Sequence, residues 1–362
     1  MKKTFYILIA CCLLSQWMQA QQWLPLVDFP GVERDDAVGF RIGDTLYVGS
    51  GLSPWWAPQS DFYGFDIASQ QWFSVAGLPQ GMERQYATGF VVNGKGFVFG
   101  GYNGSSYLND LWRYNPIQNT WDACAQLPGS GRSGSTSFVL NNTAYVIGGK
   151  NAATAALDEV WCYDAALDAW VQQANLPFGA RWRASAVAHA GIGYVLFGRN
   201  ENNVFLNDFH SFDPMSNQWV ALPSFPSLGR SHAAMFGLDN GIYTCFGLDS
   251  LGHSMNDLWT FDQVSASWNA LPGLPDVGRR GGVCASTGTA MYYVTGIDEG
   301  NTRLKDVWMY SPFLGNAPLS LDVIPTLIGT YDLMGNETQE IPNKVMIQRY
   351  SDGSVKKNLR LE

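Results

Sequence analysis

The sequence predicts an all-β fold built from six copies of one structural unit. Three series of residues, each with six members, recur at intervals of 49 positions along the 362-residue chain. They are a tryptophan series (Trp23, Trp72, Trp121, Trp170, Trp219, Trp268), a proline series (Pro30, Pro79, Pro128, Pro177, Pro226, Pro275) and an acidic series (Asp61, Asp110, Glu159, Asp208, Asp257, Asp306). The agreement of three independent series indicates an array of structural repeats.

Each repeat is expected to be a four-stranded antiparallel sheet, as the second one shows. Its first two apolar runs, 87–92 and 96–99, flank an Asn93-Gly94 pair that is typical of a hairpin turn. After Gly100-Gly101, residues 110–114 alternate as a third strand and residues 120–127 form a fourth. No segment shows sustained helical periodicity, so the repeats are all β.

Radial stacking of such sheets buries both of their faces and predicts a six-bladed β-propeller. The segment from Trp23 to Pro30 precedes the first complete unit, whereas the last unit stops near Pro312 and has Ala317 where the next tryptophan would fall. The N-terminal strand is therefore expected to complete the sixth blade.

The repeated residues resemble Kelch repeats. The glycine pair after the second strand (Gly100-Gly101, Gly148-Gly149), the acid-apolar-Trp-x-Tyr strand and the later tryptophan all occur in this order. In the last three units the pair becomes Gly198-Arg199, Gly247-Leu248 and Gly296-Ile297. The resemblance implies a six-bladed propeller of Kelch blades, a fold that hosts binding modules, spacers and enzymes.

The two ends of the chain predict export. Residues 1–20 combine Lys2 and Lys3 with a short apolar run and a small residue at the expected cut, as a secretory signal peptide does. The propeller is placed at 21–316. The β-rich tail, 317–362, resembles the C-terminal sorting domain of the type IX secretion system of Bacteroidetes, and the alternative is a hairpin that caps the propeller. The expected location is secreted or cell-surface.

Composition limits the partners. Thirty-one acidic against 22 basic residues give a net charge of -9, which argues against nucleic acid, and no later segment reaches transmembrane length. Cys124, Cys162, Cys245 and Cys284 fall in predicted strands and form no metal or redox motif, so burial is favoured over disulfides. No cofactor or metal is expected, and the oligomeric state stays open.

An arginine before the first strand of every unit predicts a ligand site. In a propeller this position lies on the same face as the loop after the second strand, so six guanidiniums would ring one mouth of the axial channel and attract an anion. In Kelch repeats the same arginine can instead hydrogen-bond neighbouring loop carbonyls. The series comprises Arg34, Arg84, Arg132, Arg181, Arg230 and Arg279.

Loops on that face add aromatic and polar candidates. Trp55 and Trp56, between two prolines, and Tyr102 could pack on a sugar ring, and Arg199 could take its hydroxyls or its carboxylate. The tryptophan pair could equally cover a blade edge.

The preferred function is a binding or interaction module for an acidic glycan or protein partner. The alternative is a sialic-acid-type epimerase or mutarotase, since such enzymes are Kelch-like propellers that pair arginine with a carboxylate. Here Glu201 or Glu299 would be the general base beside Arg199 or Arg303. A purely structural spacer is the third interpretation. The four histidines do not fit a copper oxidase.

Overall fold

Six antiparallel sheets of four main strands follow one another along the chain, in a computed structural model that describes residues 22–313, 327–331, 338, 345–350 and 355–359. Residues 22–312 form one unit and the later residues belong to a second. Within the described residues no helix is long and apolar enough to cross a membrane.

The strands of residues 22–312 follow the predicted order, but the fourth strand of the second repeat ends at Cys124 and not at residue 127. The blades are β2–β5, β6–β9, β10–β13, β14–β17, then β19, β20, β22 and β23, and finally β25, β26, β27 and β1. Their bounds, with three short strands included, are β1 (Trp23–Leu26), β2 (Val38–Ile42), β3 (Thr45–Gly49), β4 (Phe62–Asp66), β5 (Gln71–Val75), β6 (Thr88–Val92), β7 (Lys95–Phe99), β8 (Leu111–Asn115), β9 (Thr120–Cys124), β10 (Thr136–Leu140), β11 (Thr143–Ile147), β12 (Val160–Asp164), β13 (Ala169–Gln172), β14 (Ser185–His189), β15 (Ile192–Leu196), β16 (Phe209–Asp213), β17 (Gln218–Leu222), β18 (Arg230–Ser231), β19 (Ala234–Leu238), β20 (Gly241–Cys245), β21 (Leu248–Asp249), β22 (Leu258–Asp262), β23 (Ser267–Leu271), β24 (Arg279–Arg280), β25 (Val283–Ser286), β26 (Met291–Asp298) and β27 (Arg303–Tyr310).

The first strands of the blades stand side by side around a central channel. β2 contacts β6, and the contacts continue through β10, β14, β19 and β25 back to β2, which closes the ring. Small residues line this channel because the strands converge at the axis; a methyl group added at Gly39 would collide with Val283. The predicted six-bladed propeller is confirmed.

The N-terminal strand completes the last blade, as predicted. β1 pairs antiparallel with β27, with Trp23 opposite Tyr310. The Trp23 side chain is only 2% exposed, and its Nε1–H donates to the Pro272 carbonyl of the preceding blade at 3.1 Å. The chain ends of the propeller are thus tied together by a strand pair and by a buried indole.

The repeated tryptophans hold neighbouring blades together. In four members of the series the indole Nε1–H donates to a backbone carbonyl about 45 residues earlier, beside the outer strand of the preceding blade, at 2.8 to 3.0 Å: Trp72, Trp121, Trp170 and Trp268. These half-buried indoles thereby satisfy the N–H and tie each blade to the preceding one.

Each repeated arginine is paired with the repeated acid of its own unit. The guanidinium-to-carboxylate distances are 2.6 to 2.8 Å, and in four units the same guanidinium also donates to the carbonyl at or just after the end of the second strand. The pairs are Arg34–Asp61, Arg84–Asp110, Arg132–Glu159, Arg181–Asp208, Arg230–Asp257 and Arg279–Asp306. In the four units with the carbonyl bond, one side chain therefore joins three segments of the blade.

This pairing contradicts the expectation that the six arginines present an open ring to a ligand. All six residues are at most 1% exposed, and they are Arg34, Arg84, Arg132, Arg181, Arg230 and Arg279. Each guanidinium donates to a carboxylate inside its blade, because a buried guanidinium needs such a partner. Arg132 Nη1 and the Nε atoms of Arg181 and Arg230 have no acceptor among the described residues. The bonds to loop carbonyls agree with the alternative role that the Kelch resemblance offered.

The acid of each pair also orients the third strand. In four units its carboxylate accepts a hydrogen bond from the tryptophan two residues later, and in the fourth unit His210 takes that place, 2.8 Å from Asp208. Burial alone would raise the pKa of Asp208, but the hydrogen bonds from His210 and Arg181 outweigh it and hold the pKa at about 2.

The four cysteines that follow the expected leader are unpaired in the described structure. Burial raises the pKa of Cys162 to about 12 and that of Cys245 far above its usual range, so both thiols stay protonated at neutral pH. They act as small apolar side chains of the blades.

The second unit contains a three-stranded antiparallel sheet. Its strands are β28 (Leu327–Tyr331), β29 (Val345–Tyr350) and β30 (Val355–Leu359), paired in that order. The sheet agrees with a β-rich tail, and its role in secretion stays a prediction. The predicted signal peptide, residues 1–20, lies outside the described residues.

Replacing Trp23 by alanine should lower the free energy of unfolding by about 3–5 kcal/mol, because the change leaves a cavity where the two chain ends meet. Denaturant unfolding of the full chain measures this. Trp55→Ala, at a side chain that is 72% exposed, is the matched control and should change the free energy by less than about 0.5 kcal/mol. Equal losses of unfolding free energy in the two variants would refute the role of Trp23 in closing the propeller.

Replacing Arg181 by methionine should lower the free energy of unfolding by about 3 kcal/mol at pH 7, since it leaves the Asp208 carboxylate without its buried partner. Arg113→Met removes an exposed ion pair, 3.2 Å long, and should cost less than about 1 kcal/mol.

The same comparison predicts a pH dependence. The folded pKa of Asp208, about 2, lies below its ordinary value of 3.8, so the stabilisation is complete above pH 4 and is lost as pH falls through 2. The difference between wild type and Arg181→Met should shrink in that window, whereas a constant difference would contradict the pair.

Candidate functional site

A closed ring of six backbone hydrogen bonds surrounds one mouth of the channel. Each member lies two residues after one of the buried arginines. Its amide donates to the carbonyl of the ring residue in the preceding blade, at 2.6 to 3.3 Å. All six have a φ between 52° and 66°, and they are Asp36, Tyr86, Gly134, Arg183, His232 and Gly281. The ring fixes the backbone of the mouth from all sides.

Four ring residues project side chains into the mouth. Asp36, Tyr86, Arg183 and His232 line a cavity of about 160 Å³, whereas the two ring glycines contribute none. The remaining lining residues come from the adjacent loops: Asp35, Leu52, Trp56, Arg280, Ile297, Asn301 and Arg303. The cavity is therefore rich in guanidinium groups and lies on the face that the sequence predicted.

Three guanidiniums at the mouth lack a carboxylate partner. Within the described residues, no carboxylate oxygen lies within 4.0 Å of Arg183, Arg199 or Arg280. Burial, then the charges of Arg183 and Arg280, lower the pKa of Arg199 to about 10. The cations are thus close enough to repel one another in a partly dry site.

Arg183 carries the least satisfied of these groups. Its guanidinium lies over the Tyr86 ring at 4.0 Å and over the Trp182 ring at 4.2 Å. Its buried Nε–H has no acceptor among the described residues, and none of its other N–H groups has one either. A buried donor without an acceptor is costly, so this group is ready to bind an anion.

Arg280 is held in place by neutral groups. It donates to the Ser254 hydroxyl at 2.7 Å, to the Asp298 carbonyl at 3.0 Å and to the Asn301 side chain at 2.8 Å. These bonds orient the guanidinium without neutralising its charge.

The two neighbouring carboxyl groups of the mouth are in different states. Asp35 accepts a hydrogen bond from Arg303 at 2.6 Å, within an ion pair. Asp36 has its pKa raised to about 8 by burial and by the charge of Asp35, and the charge of Arg183 opposes this only in part. One carboxylate is therefore paired, and the other favours its protonated form near neutral pH.

His232 stays neutral in the same surroundings. Burial, then the charges of Arg183, Arg199 and Arg280, lower its pKa well below the usual range. Its Nδ1 lies 2.9 Å from the Ser231 hydroxyl. The mouth thus combines a protonated carboxyl, a neutral imidazole and a group of uncompensated cations.

The structure brings part of the predicted loop set to this site. Trp56, 75% exposed, lines the mouth, and the Arg303 guanidinium lies 4.7 Å from its ring centre, while Trp55 is exposed beside it. Arg199 donates to the Ser231 hydroxyl and to the Asn203 side chain. Tyr102 packs against Tyr107 at 5.1 Å, farther out on the same face.

The two glutamates of the enzyme alternative lie elsewhere. Glu201 and Glu299 are exposed in the loops after the second strands of blades four and six, and neither is among the residues that line the mouth cavity. The acid groups that do reach the cavity are Asp35 and Asp36, which the sequence analysis did not single out. Their only sequence signal is their position directly after a repeated arginine.

Comparisons with known proteins agree with this architecture. Residues 16–189 match the KLHDC2/KLHL20/DRC7 Kelch-repeats domain, and residues 181–226 match the Kelch motif. The solved structure of YjhT superposes with a TM-score of 0.69 at 18% sequence identity and covers 92% of this chain and 99% of its own.

Curated relatives match shorter segments. Kelch-like protein 35 of Homo sapiens is 33% identical over 110 residues, which is 30% of this chain and 18% of that protein. N-acetylneuraminate epimerase of Haemophilus influenzae is 40% identical over 90 residues, or 23% of this chain and 22% of that enzyme. The matched segments thus span about a fifth of each relative. The six four-stranded blades and the superposition show that the chain folds as a six-bladed β-propeller, and the two family matches identify Kelch repeats within residues 16–226.

Proposed function

We propose that this propeller binds an acidic ligand, with the ligand's carboxylate held at the channel mouth by Arg183, Arg199 and Arg280. The observation that carries the proposal is the Arg183 guanidinium, which among the described residues has neither a carboxylate within 4.0 Å nor an acceptor for its buried Nε–H. Kelch propellers are binding modules in general, and this group supplies the chemistry of one such site.

Electrostatics favour an anion here over any neutral ligand. Three guanidiniums in one partly buried site repel one another, and a bound carboxylate would replace that repulsion by charge-assisted hydrogen bonds. The rest of the protein is acidic, with a net charge of -9, so the mouth is a local exception to the surface. An anion would also find paired donors, because a guanidinium matches a carboxylate in geometry.

The size of the mouth favours an acidic sugar over a folded protein surface. A cavity of about 160 Å³ admits one carboxylate-bearing ring or chain end. Trp56, beside it, offers an exposed aromatic face, and Asn301 an amide, to the remainder of the ligand. Aromatic faces and small polar groups around a cation are the arrangement that a carboxylated pyranose needs.

We also propose that the protein works outside the cytoplasm. The support is the leader-like segment 1–20 and the resemblance of the tail to a type IX sorting domain. An acidic glycan of a cell surface or of the medium would meet the propeller there.

A matched pair of ligands tests the binding. Titration calorimetry of the full chain should show saturable binding of glucuronate or N-acetylneuraminate, weakened by salt, and no binding of glucose. Arg183→Gln should weaken the acid about 10- to 100-fold, which is the value of a charge-assisted hydrogen bond.

Arg113→Gln removes the same charge from an exposed pair in blade two and should leave the affinity unchanged. Equal affinity for sugar and sugar acid, or an unaffected Arg183→Gln variant with wild-type stability, would refute the proposal.

A second candidate is an epimerase or mutarotase of an acidic sugar. Its support is the 40% identity to N-acetylneuraminate epimerase over 90 residues, together with the acid and base groups at the mouth. Interconverting two anomers requires one group that donates a proton to the ring oxygen and one that accepts a proton from the anomeric hydroxyl. Protonated Asp36 and neutral His232 would take these roles beside Tyr86.

Proton NMR of freshly released α-N-acetylneuraminate tests this activity. The full chain should accelerate conversion to the β anomer, and Asp36→Asn and His232→Gln should each slow it at least about 100-fold. Glu299→Gln, at an exposed loop glutamate, is the control and should retain the rate. Binding without acceleration would leave the binding module and exclude the epimerase.

A further inference from the structure

A groove lies beside the mouth, over the loops of blades two to four. Two cavities of about 360 and 420 Å³ lie on this face and share Tyr107, Asn151, Ala152 and Ala153 as lining residues. The inner cavity also touches Trp182 and Lys150, and the outer one touches Tyr102. Together they offer several times the space of the mouth.

Trp182 joins the groove to the mouth. The Lys150 ammonium lies 4.2 Å from the centre of its ring, and the Arg183 guanidinium lies 4.2 Å from the same centre. Lys150 lines the groove and Arg183 lines the mouth, so one indole separates the two sites. A ligand bound to Arg183 can therefore reach the groove by passing the width of one indole ring.

Charge falls off along the groove. The mouth holds several guanidiniums, the inner cavity has Lys150 as the single charged residue of its lining, and the outer cavity is lined by none. The complementary ligand is acidic at one end and neutral along the rest. Such a gradient fits one charged residue followed by uncharged ones, and it fits a polyanion poorly.

Three residues of the groove have backbone groups that are already paired. Tyr102 and Lys150 exchange backbone hydrogen bonds with Gln85 and Ser133, and the Asn151 amide donates to Thr154. Recognition by strand addition needs a run of free backbone groups along an edge, so these pairs disfavour a peptide strand here. Side chains are then the groups that read the ligand.

The available side-chain groups are hydroxyls, amides and one ammonium. No protein hydrogen bond within the described residues occupies the hydroxyls of Tyr107 and Thr154, the Lys150 ammonium, or the amide N–H groups of Asn200 and Asn203. Tyr102 and Tyr107 add two half-buried rings at the outer end, with centres 5.1 Å apart. Hydroxyl-rich rings with one apolar face match this set.

We propose that the groove binds the neutral sugar residues of an acidic oligosaccharide whose charged residue sits in the mouth, an inference that rests on the proposed function. The acidic residue supplies the anchor at Arg183, and one or two neutral residues lie along Lys150, Thr154 and Tyr107. The groove then determines selectivity for chain length, and the mouth determines selectivity for charge.

Calorimetric titration of the full chain with N-acetylneuraminic acid, 3′-sialyllactose and lactose tests the groove. The trisaccharide should bind about tenfold tighter than the acid alone, and lactose should not bind measurably. Tyr107→Phe/Thr154→Val removes two hydroxyls without loss of volume and should abolish the tenfold gain while leaving the monosaccharide affinity intact. Tyr63→Phe/Thr120→Val removes the same atoms elsewhere and should change neither affinity.

The outcomes separate the two proposals. Equal affinities for monosaccharide and trisaccharide, or a gain in affinity that persists in the groove variant, would refute sugar binding in the groove. Either result would leave the proposed binding of the acidic residue at the mouth unaffected. Absence of binding by both acidic sugars would overturn the proposed function and the groove with it. A short glutamate peptide that binds tighter than the trisaccharide and is weakened by the groove variant would assign the groove to a peptide and contradict this inference.

Discussion

The buried pair of one arginine and one acid is the interaction on which the rest of the molecule depends. It joins the segment before the first strand to the start of the third strand in each blade, and in four blades it also reaches the end of the second strand. Because the guanidinium is fully enclosed, any displacement would expose an unpaired charge to an apolar interior. The following residues are thereby fixed in space, and the ring at the mouth is the direct continuation of this anchor.

The charge at the site is opposite to the net charge of the protein. The chain as a whole is acidic and has few charged residues, whereas its channel mouth holds several unpaired cations next to one paired and one protonated carboxyl. The two proposed functions would use the same groups and would differ only in whether Asp36 and His232 exchange protons with the ligand. Lys150 and Trp182 lie between this centre and the groove, so in our proposal affinity and chain-length selectivity come from neighbouring residues of one face.

The blades were predictable from the sequence because their residues repeat with identical chemistry. Trp23, its successors and the strand alternation determine the six sheets and the closure by β1. The arginines were located correctly, but the expectation that they face a ligand was wrong. Periodicity alone does not distinguish an arginine that faces solvent from one that pairs with the repeated acid some 27 residues later. Asp36, Tyr86, Arg183 and His232 left no periodic signal, because a binding site needs different side chains at equivalent positions.

The ring of six backbone hydrogen bonds has a consequence for how such a protein diversifies. Every amide and carbonyl in the ring is satisfied by a neighbouring blade, so the ring does not depend on which side chain each position carries. The positive φ restricts these positions chiefly against β-branched residues and leaves glycine, aspartate, arginine, histidine and tyrosine all acceptable. The side chains of the mouth can therefore change while its backbone ring stays the same. Gly134 and Gly281 are the exceptions, because a Cβ at these positions would lie 3.1 Å from Arg183 and 2.9 Å from Asp36, so a larger residue there would first displace a side chain of the site.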